Sequence, residues 1–380
     1  MEKHVAMRVL IVTHNYLSGF GGGAYGARAY INAFAALYDD ITLLFPAHSE
    51  DESIPEIAPH VRMTAVTDTV SKVRKAARQV FRGVLHRFEQ SFSRLLETDR
   101  FDMVVFQNSK CSSRLIRKAR KAGARTVVIH DNYEWEYTRD NTPLLQLPLF
   151  LPAVVRTERT AVREADLNLA LTPEDADQLV RHYGKGMRGR MELLGAFEYR
   201  PIESCPVTAE DTPVFAITGN LGARQTSGSL IPWFSEYYPL LKREIPDAKL
   251  IVAGKDPGTD LKQLLSRLDV ELVDTPPDMS VILRRARYYL CPVQLGGGVK
   301  LRVMDGLRTG LPALVHRVSA RGYEALEGIS LFVYDTPDSF VESLRKMLAC
   351  PGSAMDRQQV YKDRFSFEAG VKRLRNILNA

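Results

Sequence analysis

Four cysteines and two tryptophans in 380 residues make both residue types scarce, and no apolar run approaches the length of a bilayer span. Cys111, Cys205, Cys291 and Cys350 are far apart and form no Cys-x-x-Cys, which argues against a zinc site or a disulfide framework and fits a reducing compartment. No secretory signal is legible: residues 9–12 are apolar, but they run into polar Thr13, His14 and Asn15 and read as a strand. The expected location is therefore cytoplasmic. Residues 144–155 are the other long apolar stretch, about half a span and broken by Pro148 and Pro152, so a packed or partner-facing helix is expected there.

What the chain does have is alternation. Strand-length apolar runs at residues 7–13, 41–45, 61–66, 101–106, 125–130, 167–171 and 191–195 are separated by helix-length amphipathic segments. After a polar stretch at 199–213 holding Pro201, Pro206 and Pro213, the pattern resumes with strands at 214–218, 248–253, 270–273, 288–293, 312–316 and 330–334. This predicts α/β architecture: two doubly wound, parallel-sheet, Rossmann-like domains facing a central cleft. The domains would be 1–205 and 206–365, with a last helix over 366–380.

The richest motif is residues 294–312. A strand over 288–293 runs into Gly296, Gly297 and Gly298, a helix is expected to open near Val299, and Lys300 and Asp305 follow at once. Glycines let a backbone approach a ligand, helix amides and a lysine favour diphosphate, and a carboxylate one turn deeper can accept from ribose hydroxyls. Ordinary helix-face ion pairs of Asp305 with Arg302 or Arg308 are the competing reading. The strand 214–218 similarly enters Gly219-Asn-Leu-Gly-Ala-Arg224, with a helix expected near Thr226. Two such turns in one sheet can converge on one pyrophosphate, with Arg224 and Lys300 as paired cations.

At the front, Gly21, Gly23 and Gly26 formally match Gly-x-Gly-x-x-Gly before a helix expected over 24–37, so a nucleotide-linked oxidoreductase is one alternative. Against it, residues 14–20 separate the loop from its strand, and the second strand ends in Phe45-Pro46 where a ribose-binding acid would stand. Contact of this loop with a phosphate or sugar is the preferred reading. His130, Asp131 and Glu134 follow the strand 125–130, at the strand end where ligands bind, and could hold sugar hydroxyls or receive a proton.

Positive charge is uneven within a net of +6: residues 110–125 carry seven Lys or Arg and no acid, and residues 70–97 carry seven against two acids. The second block has helical apolar spacing, so a basic helix over 70–97 could meet an anionic membrane surface; a core-packed helix with a solvated basic face fits equally. No recognised motif supports nucleic-acid binding.

On these residues the sequence resembles the GT-B glycosyltransferases, most like glycosyltransferase family 4 of the bacterial polysaccharide-assembly type. The resemblance runs through most of the chain and is most specific at residues 296–312. It implies retaining transfer of a sugar from a nucleotide diphosphate sugar to an acceptor hydroxyl, on a glycan or a lipid-linked intermediate, with no metal and no cofactor. It further implies a donor-binding C-terminal domain, an acceptor-binding N-terminal domain and a last helix returning to the latter. Donor contacts would come from Gly22, Gly23, Gly219, Arg224, Gly297, Gly298, Lys300, Leu301 and Asp305; His130, Asp131 and Glu134 would form the catalytic group. Two departures stand out. The paired acids usual in the family are Gly297 and Asp305 here, and Ser227 stands near where a second basic residue is common. A GT-B-like subunit without transfer chemistry, binding lipid or a partner, is the other alternative.

Overall fold

The computed structural model describes the chain except residues 1–6, 20, 50, 51, 53, 55, 68–72, 75, 76, 78, 79, 82–87, 113, 200–212 and 351. The chain divides into two compact units, Met1–Tyr199 with Phe367–Ala380, and Arg200–Ser366. Much of the basic segment 70–97 and nearly all of the stretch 199–213 lie outside the described residues.

The first unit is built on seven parallel strands: β1 Arg8–Thr13, β2 Asp40–Ala47, β3 Arg62–Thr67, β4 Met103–Gln107, β5 Arg125–His130, β6 Leu167–Ala170 and β7 Arg190–Leu193. Their order is β3-β2-β1-β4-β5-β6-β7. Helices cover both faces, so β1, β4 and β5 are apolar at successive positions rather than alternate ones. Pro46 is tolerated in β2 because it lies beyond the last β1–β2 pair, Val12 with Leu44. The terminal helix Phe367–Asn379 packs on this unit. Arg373 donates to the carbonyls of Leu194 at 2.8 Å and Ala196 at 3.1 Å, and Gly370 lies so close to the Phe197 ring that a Cβ would sit 2.1 Å from it.

Six parallel strands form the second unit: β8 Val214–Asn220, β9 Lys249–Lys255, β10 Glu271–Asp274, β11 Tyr288–Cys291, β12 Ala313–His316 and β13 Leu331–Tyr334. Their order is β10-β9-β8-β11-β12-β13. Trp233, Phe234, Tyr237, Tyr334 and Phe340 pack edge-on and tilted against one another beneath the sheet and supply much of its buried apolar area.

All thirteen expected strands are present within a few residues. Three helix starts differ from expectation. The first helix opens at Gly22 rather than 24, and the helix after β8 opens at Arg224, two residues before Thr226. The short helix after β11 is Val303–Arg308, four residues later than Val299, because residues 300–305 first close a tight turn: the amides of Val303, Met304 and Asp305 donate to the carbonyls three residues back.

Residues 144–155 form the turn Leu144–Gln146 and the start of the helix Leu147–Glu164. No helix among the described residues is long and apolar enough to cross a membrane.

Candidate active site

In each sheet the strand order reverses direction at one place, and ligands of such sheets bind beyond the carboxyl ends of the strands there. That place is between β8 and β11 in the second unit and between β1 and β4 in the first. Of the donor residues nominated from sequence, Gly219 lies at the end of β8 and the rest lie on the turns and helix starts just after β8, β11 and β1. His130 closes β5, one strand further along, and Asp131 and Glu134 follow it.

In the second unit the segment around the 296–298 loop is bonded to the helix that follows the other glycine turn. The amide of Gln294 donates to Ser229 Oγ at 3.1 Å, and Arg302 reaches from just past the loop to Thr226 Oγ1 at 2.8 Å, so both anchor points on the second element belong to the helix Arg224–Glu236. Gly296 and Gly298 have φ of 80° and 70°, which only glycine adopts without strain, whereas Gly297 is not in that region. The backbone therefore demands glycine on either side of 297 but not at 297 itself. Lys300 is buried, and its ammonium donates to the carbonyls of Gly296 at 2.6 Å and Gly297 at 2.8 Å, so its charge lies against the buried loop.

Asp305 is 7 % exposed. Its carboxylate lies 3.1 Å from Thr218 Oγ1 and pairs with Arg308 at 3.4 Å; the Tyr289 hydroxyl lies 2.8 Å from Thr218 Oγ1 and 2.7 Å from the carbonyl of Arg302, so the two hydroxyls share these contacts. The ion pair with Arg308 weighed from spacing is thus present. Arg302 instead braces the site, lying where a Cβ on Gly219 would come within 2.7 Å of its guanidinium, and Gly219 itself has φ 136°. Leu301 is half-buried in the turn before the short helix.

Arg224 differs from the other cations. It is exposed at the first position of its helix, and its guanidinium has no hydrogen bond or ion pair among the described residues. Asn220 Oδ1 caps the approach, accepting from the amides of Gly222 and Ala223.

The first unit carries a polar cluster behind β4 and β5. His130 is buried, and its orientation is fixed from outside: Asn168 donates its amide nitrogen to the Val162 carbonyl, which leaves its oxygen 2.9 Å from His130 Nε2. Nε2 is therefore the protonated nitrogen, and the buried Nδ1 has no hydrogen-bond partner. Burial pushes the imidazole down to about 4, only partly opposed by Asn168, so it is neutral at physiological pH.

Asp131 is pushed up to about 6 by burial, although Asn108 and Gln107 donate to it. Glu134 behaves oppositely. Burial acts to raise it, but Lys110, with Nζ 2.6 Å from Oε2, outweighs burial and holds it below the ordinary range. Oε1 accepts from Asn108 at 2.6 Å and Asn132 at 2.9 Å.

Sequence reasoning missed several members of this cluster. Lys110 sat unnoticed within a basic block. Asn108 has φ 76° just past β4, a conformation asparagine tolerates better than most residues, and this aims its amide at both carboxylates. Glu158, on the helix Leu147–Glu164, is wholly buried and accepts from the backbone amide of Glu134 at 2.6 Å; burial and the nearby Glu134 charge push it up to about 8. Its spacing among apolar residues gave no signal of this.

At the front, Gly21 caps the helix Gly22–Ala35 with open space around it, and Gly22 and Gly23 are exposed in the first turn. A Cβ on Gly23 would meet Asn15 Oδ1 at 2.7 Å. Arg28, fully buried on this helix, donates to the carbonyls of Leu17 and Gly19 and to the Tyr199 hydroxyl, which holds the loop against the helix. Among the described residues no group of His, Cys, Asp and Glu could hold a metal ion.

Comparison with known proteins bears on the family and the fold. Residues 21–195 match the family model described as glycosyl transferase 4-like domain, and residues 212–350 match glycosyl transferases group 1. A search of curated proteins found no significant match. Among solved structures, the chain is similar to the lipopolysaccharide outer core galactosyltransferase WaaB, at 13% identity and TM-score 0.68 over 98% of this chain and 99% of that one. It is similar to a sucrose-phosphate synthase from Thermosynechococcus elongatus, at 14% identity and TM-score 0.70 over 98% of each chain. Anabaena HepE, solved with UDP-glucose, aligns at 13% identity and TM-score 0.65 over 98% of this chain and 99% of that one. At such identities the structures speak for the fold, while the two family models between them span most of the sequence: the chain belongs to the GT-B glycosyltransferases of group 1, family 4-like, a class of retaining hexosyltransferases.

Proposed function

We propose that the second unit binds the diphosphate of a nucleotide sugar between its two glycine turns, and that the first unit offers an acceptor hydroxyl to the anomeric carbon. The observation that carries this reading is the bonding of the 294–302 segment to the helix that follows the first glycine turn, with Arg224 exposed at the first position of that helix and without a partner among the described residues. Arg224 would bind the outer phosphate oxygens as a charged fork, and Lys300 would add its field from beneath the loop. Asp305 and Leu301 would stand at the ribose, and Gly219, Gly297 and Gly298 would let the phosphates approach the backbone.

Catalysis on this scheme is electrostatic. As the bond from the anomeric carbon to the diphosphate oxygen breaks, the leaving group's growing negative charge is met by fixed cations, and the new bond to the acceptor oxygen forms on the same face. The acceptor's proton passes to a basic oxygen at the site. Asp131, poised at about 6, is the protein group suited to receive it, and the unpartnered Nδ1 of neutral His130 is suited to accept from a sugar hydroxyl. Glu134 is held as an anion by Lys110 and serves as an electrostatic and positioning group.

Gly22 and Gly23 would contribute phosphate contacts from the first unit. The reaction would need no metal or cofactor. A glycan or lipid-linked intermediate is the proposed acceptor class, in keeping with the lipopolysaccharide enzyme among the similar structures, and the cytoplasmic face of a membrane is the proposed place of work.

UDP-glucose, bound by Anabaena HepE, is the first donor to try. Calorimetry should detect its binding and a thermal shift should accompany it, since a ligand of the native state raises apparent stability. A panel of nucleotide sugars then ranks base and sugar. If no member of the panel binds, the transfer reading fails and the non-catalytic subunit takes its place.

A further inference from the structure

The turn Leu144–Gln146 and the helix Leu147–Glu164 are unlike the rest of the surface. Leu144 is 80 % exposed, Leu145 96 % and Leu149 53 %, with Pro143, Pro148 and Pro152 exposed among them. Scattered exposed leucines are ordinary, but a contiguous run of them at one end of a helix marks an interaction site.

Charge on the same element is one-sided. The acids of the helix are Glu158, which is wholly buried, and Glu164 at its far end, paired with Arg117, while Arg156 and Arg159 are exposed. At about 100° per residue, positions 149, 152, 156 and 159 fall within an arc of about 80°, so they form a single stripe. Along it the two arginines lie roughly 10 and 15 Å behind Leu149, at 1.5 Å per residue. Cations set back from an apolar tip can meet the anionic lipid surface while the tip enters the apolar boundary. Arg156 also donates to the carbonyl of Val80, which brings Phe81, 76 % exposed, to the same neighbourhood.

We propose that this leucine- and proline-rich tip is an interfacial anchor, seating the first unit on an anionic membrane with the leucines among the acyl chains and Arg156 and Arg159 at the phosphates. The contact differs from the basic segment 70–97 nominated from sequence, because its apolar and charged parts are arranged in series along one helix axis. The same helix carries Glu158, which holds the Glu134 backbone roughly 14 Å behind Leu149 by helix rise. A membrane-borne acceptor would thus be delivered close to the carboxylate cluster. The anchor rests on exposure and charge and does not depend on the donor reading.

The test uses the full chain with vesicles of mixed phosphatidylglycerol and phosphatidylethanolamine. Leu145→Trp should show a blue shift on vesicle addition and quenching by brominated lipid. Leu144→Ser with Leu145→Ser and Leu149→Ser should lower vesicle partitioning by about tenfold per leucine, or about 1.4 kcal/mol each, at unchanged melting temperature. Arg159→Glu should remove the preference for anionic over zwitterionic vesicles, and high salt should weaken but not abolish binding of the unaltered chain. Flotation with no response from the tryptophan, or an undiminished affinity of the serine variant, would overturn the proposal and put the contact elsewhere. A shift from dimer to monomer in the serine variant, without vesicles, would assign the tip to a second copy of the chain and overturn it equally.

Discussion

Replacing the wholly buried Glu158 by glutamine should stabilise the protein, and the gain should grow with pH. In the folded chain this carboxyl is pushed from 4.5 up to about 8 by burial first and by the Glu134 charge second. A raised acid binds its proton more tightly folded than unfolded, so its contribution is most favourable below 4.5 and declines as pH rises toward 8. At about pH 7 the unfolded side chain is ionised while the folded one keeps its proton. That mismatch over about 2.5 pH units costs about 3 kcal/mol, at about 1.4 kcal/mol per unit. Glutamine is neutral in both states and can still accept from the Glu134 amide, so it avoids the cost; allowing for an imperfect fit of its NH2 group, the gain should be about 1–3 kcal/mol. Urea denaturation of both proteins between about pH 5 and 9 measures it, following the first unit by its own tryptophan, Trp135, with Trp233 replaced by phenylalanine in both. The midpoints should converge at the acid end and separate as pH rises, levelling off above about 8. A gap that is constant with pH, or glutamine being the less stable throughout, would refute the assignment of Glu158 as a buried neutral acid.

Removing Lys110 should do the reverse: Lys110→Met strands Glu134 in the interior and should cost about 3–5 kcal/mol in the same denaturation assay, with Glu134→Gln in the same chain recovering part of it. In the donor loop, Gly296→Ala or Gly298→Ala should lose about 1–2 kcal/mol of stability from left-handed backbone strain, while Gly297→Ala is tolerated, as thermal melts would show. Arg224→Ala should shift stability by less than about 0.5 kcal/mol, since nothing among the described residues leans on its guanidinium, yet weaken donor binding by calorimetry at least about tenfold.

Gly297 illustrates how far a motif reaches. Sequence identifies it as the place where an acid is usual, and the structure adds that glycine is not forced there by the backbone, as it is at 296 and 298. Lys300 was legible as a cation beside the loop, but not that its ammonium would be turned onto the loop's own carbonyls. Arg302, read from spacing as an alternative partner for Asp305, braces Thr218 and Thr226 instead, while Arg308 takes the Asp305 pairing. Spacing along a helix offers both arginines equally, and only the neighbouring strand decides between them.

By itself the sequence determined the thirteen strands, the two-part organisation and the glycine turns that flank the place where each sheet reverses. It could do so because continuous apolar runs are needed wherever a parallel strand is covered on both faces, and because turns with positive φ select glycine. Tertiary structure alone decided which groups meet. The Lys110–Glu134 pair, the amide of Asn168 that fixes His130, the carboxyl of Glu158 behind Glu134 and the bonds from Gln294 and Arg302 to the helix Arg224–Glu236 all join residues from different elements. Their charge states follow from burial, which depends on what packs above a residue and not on its position in the chain.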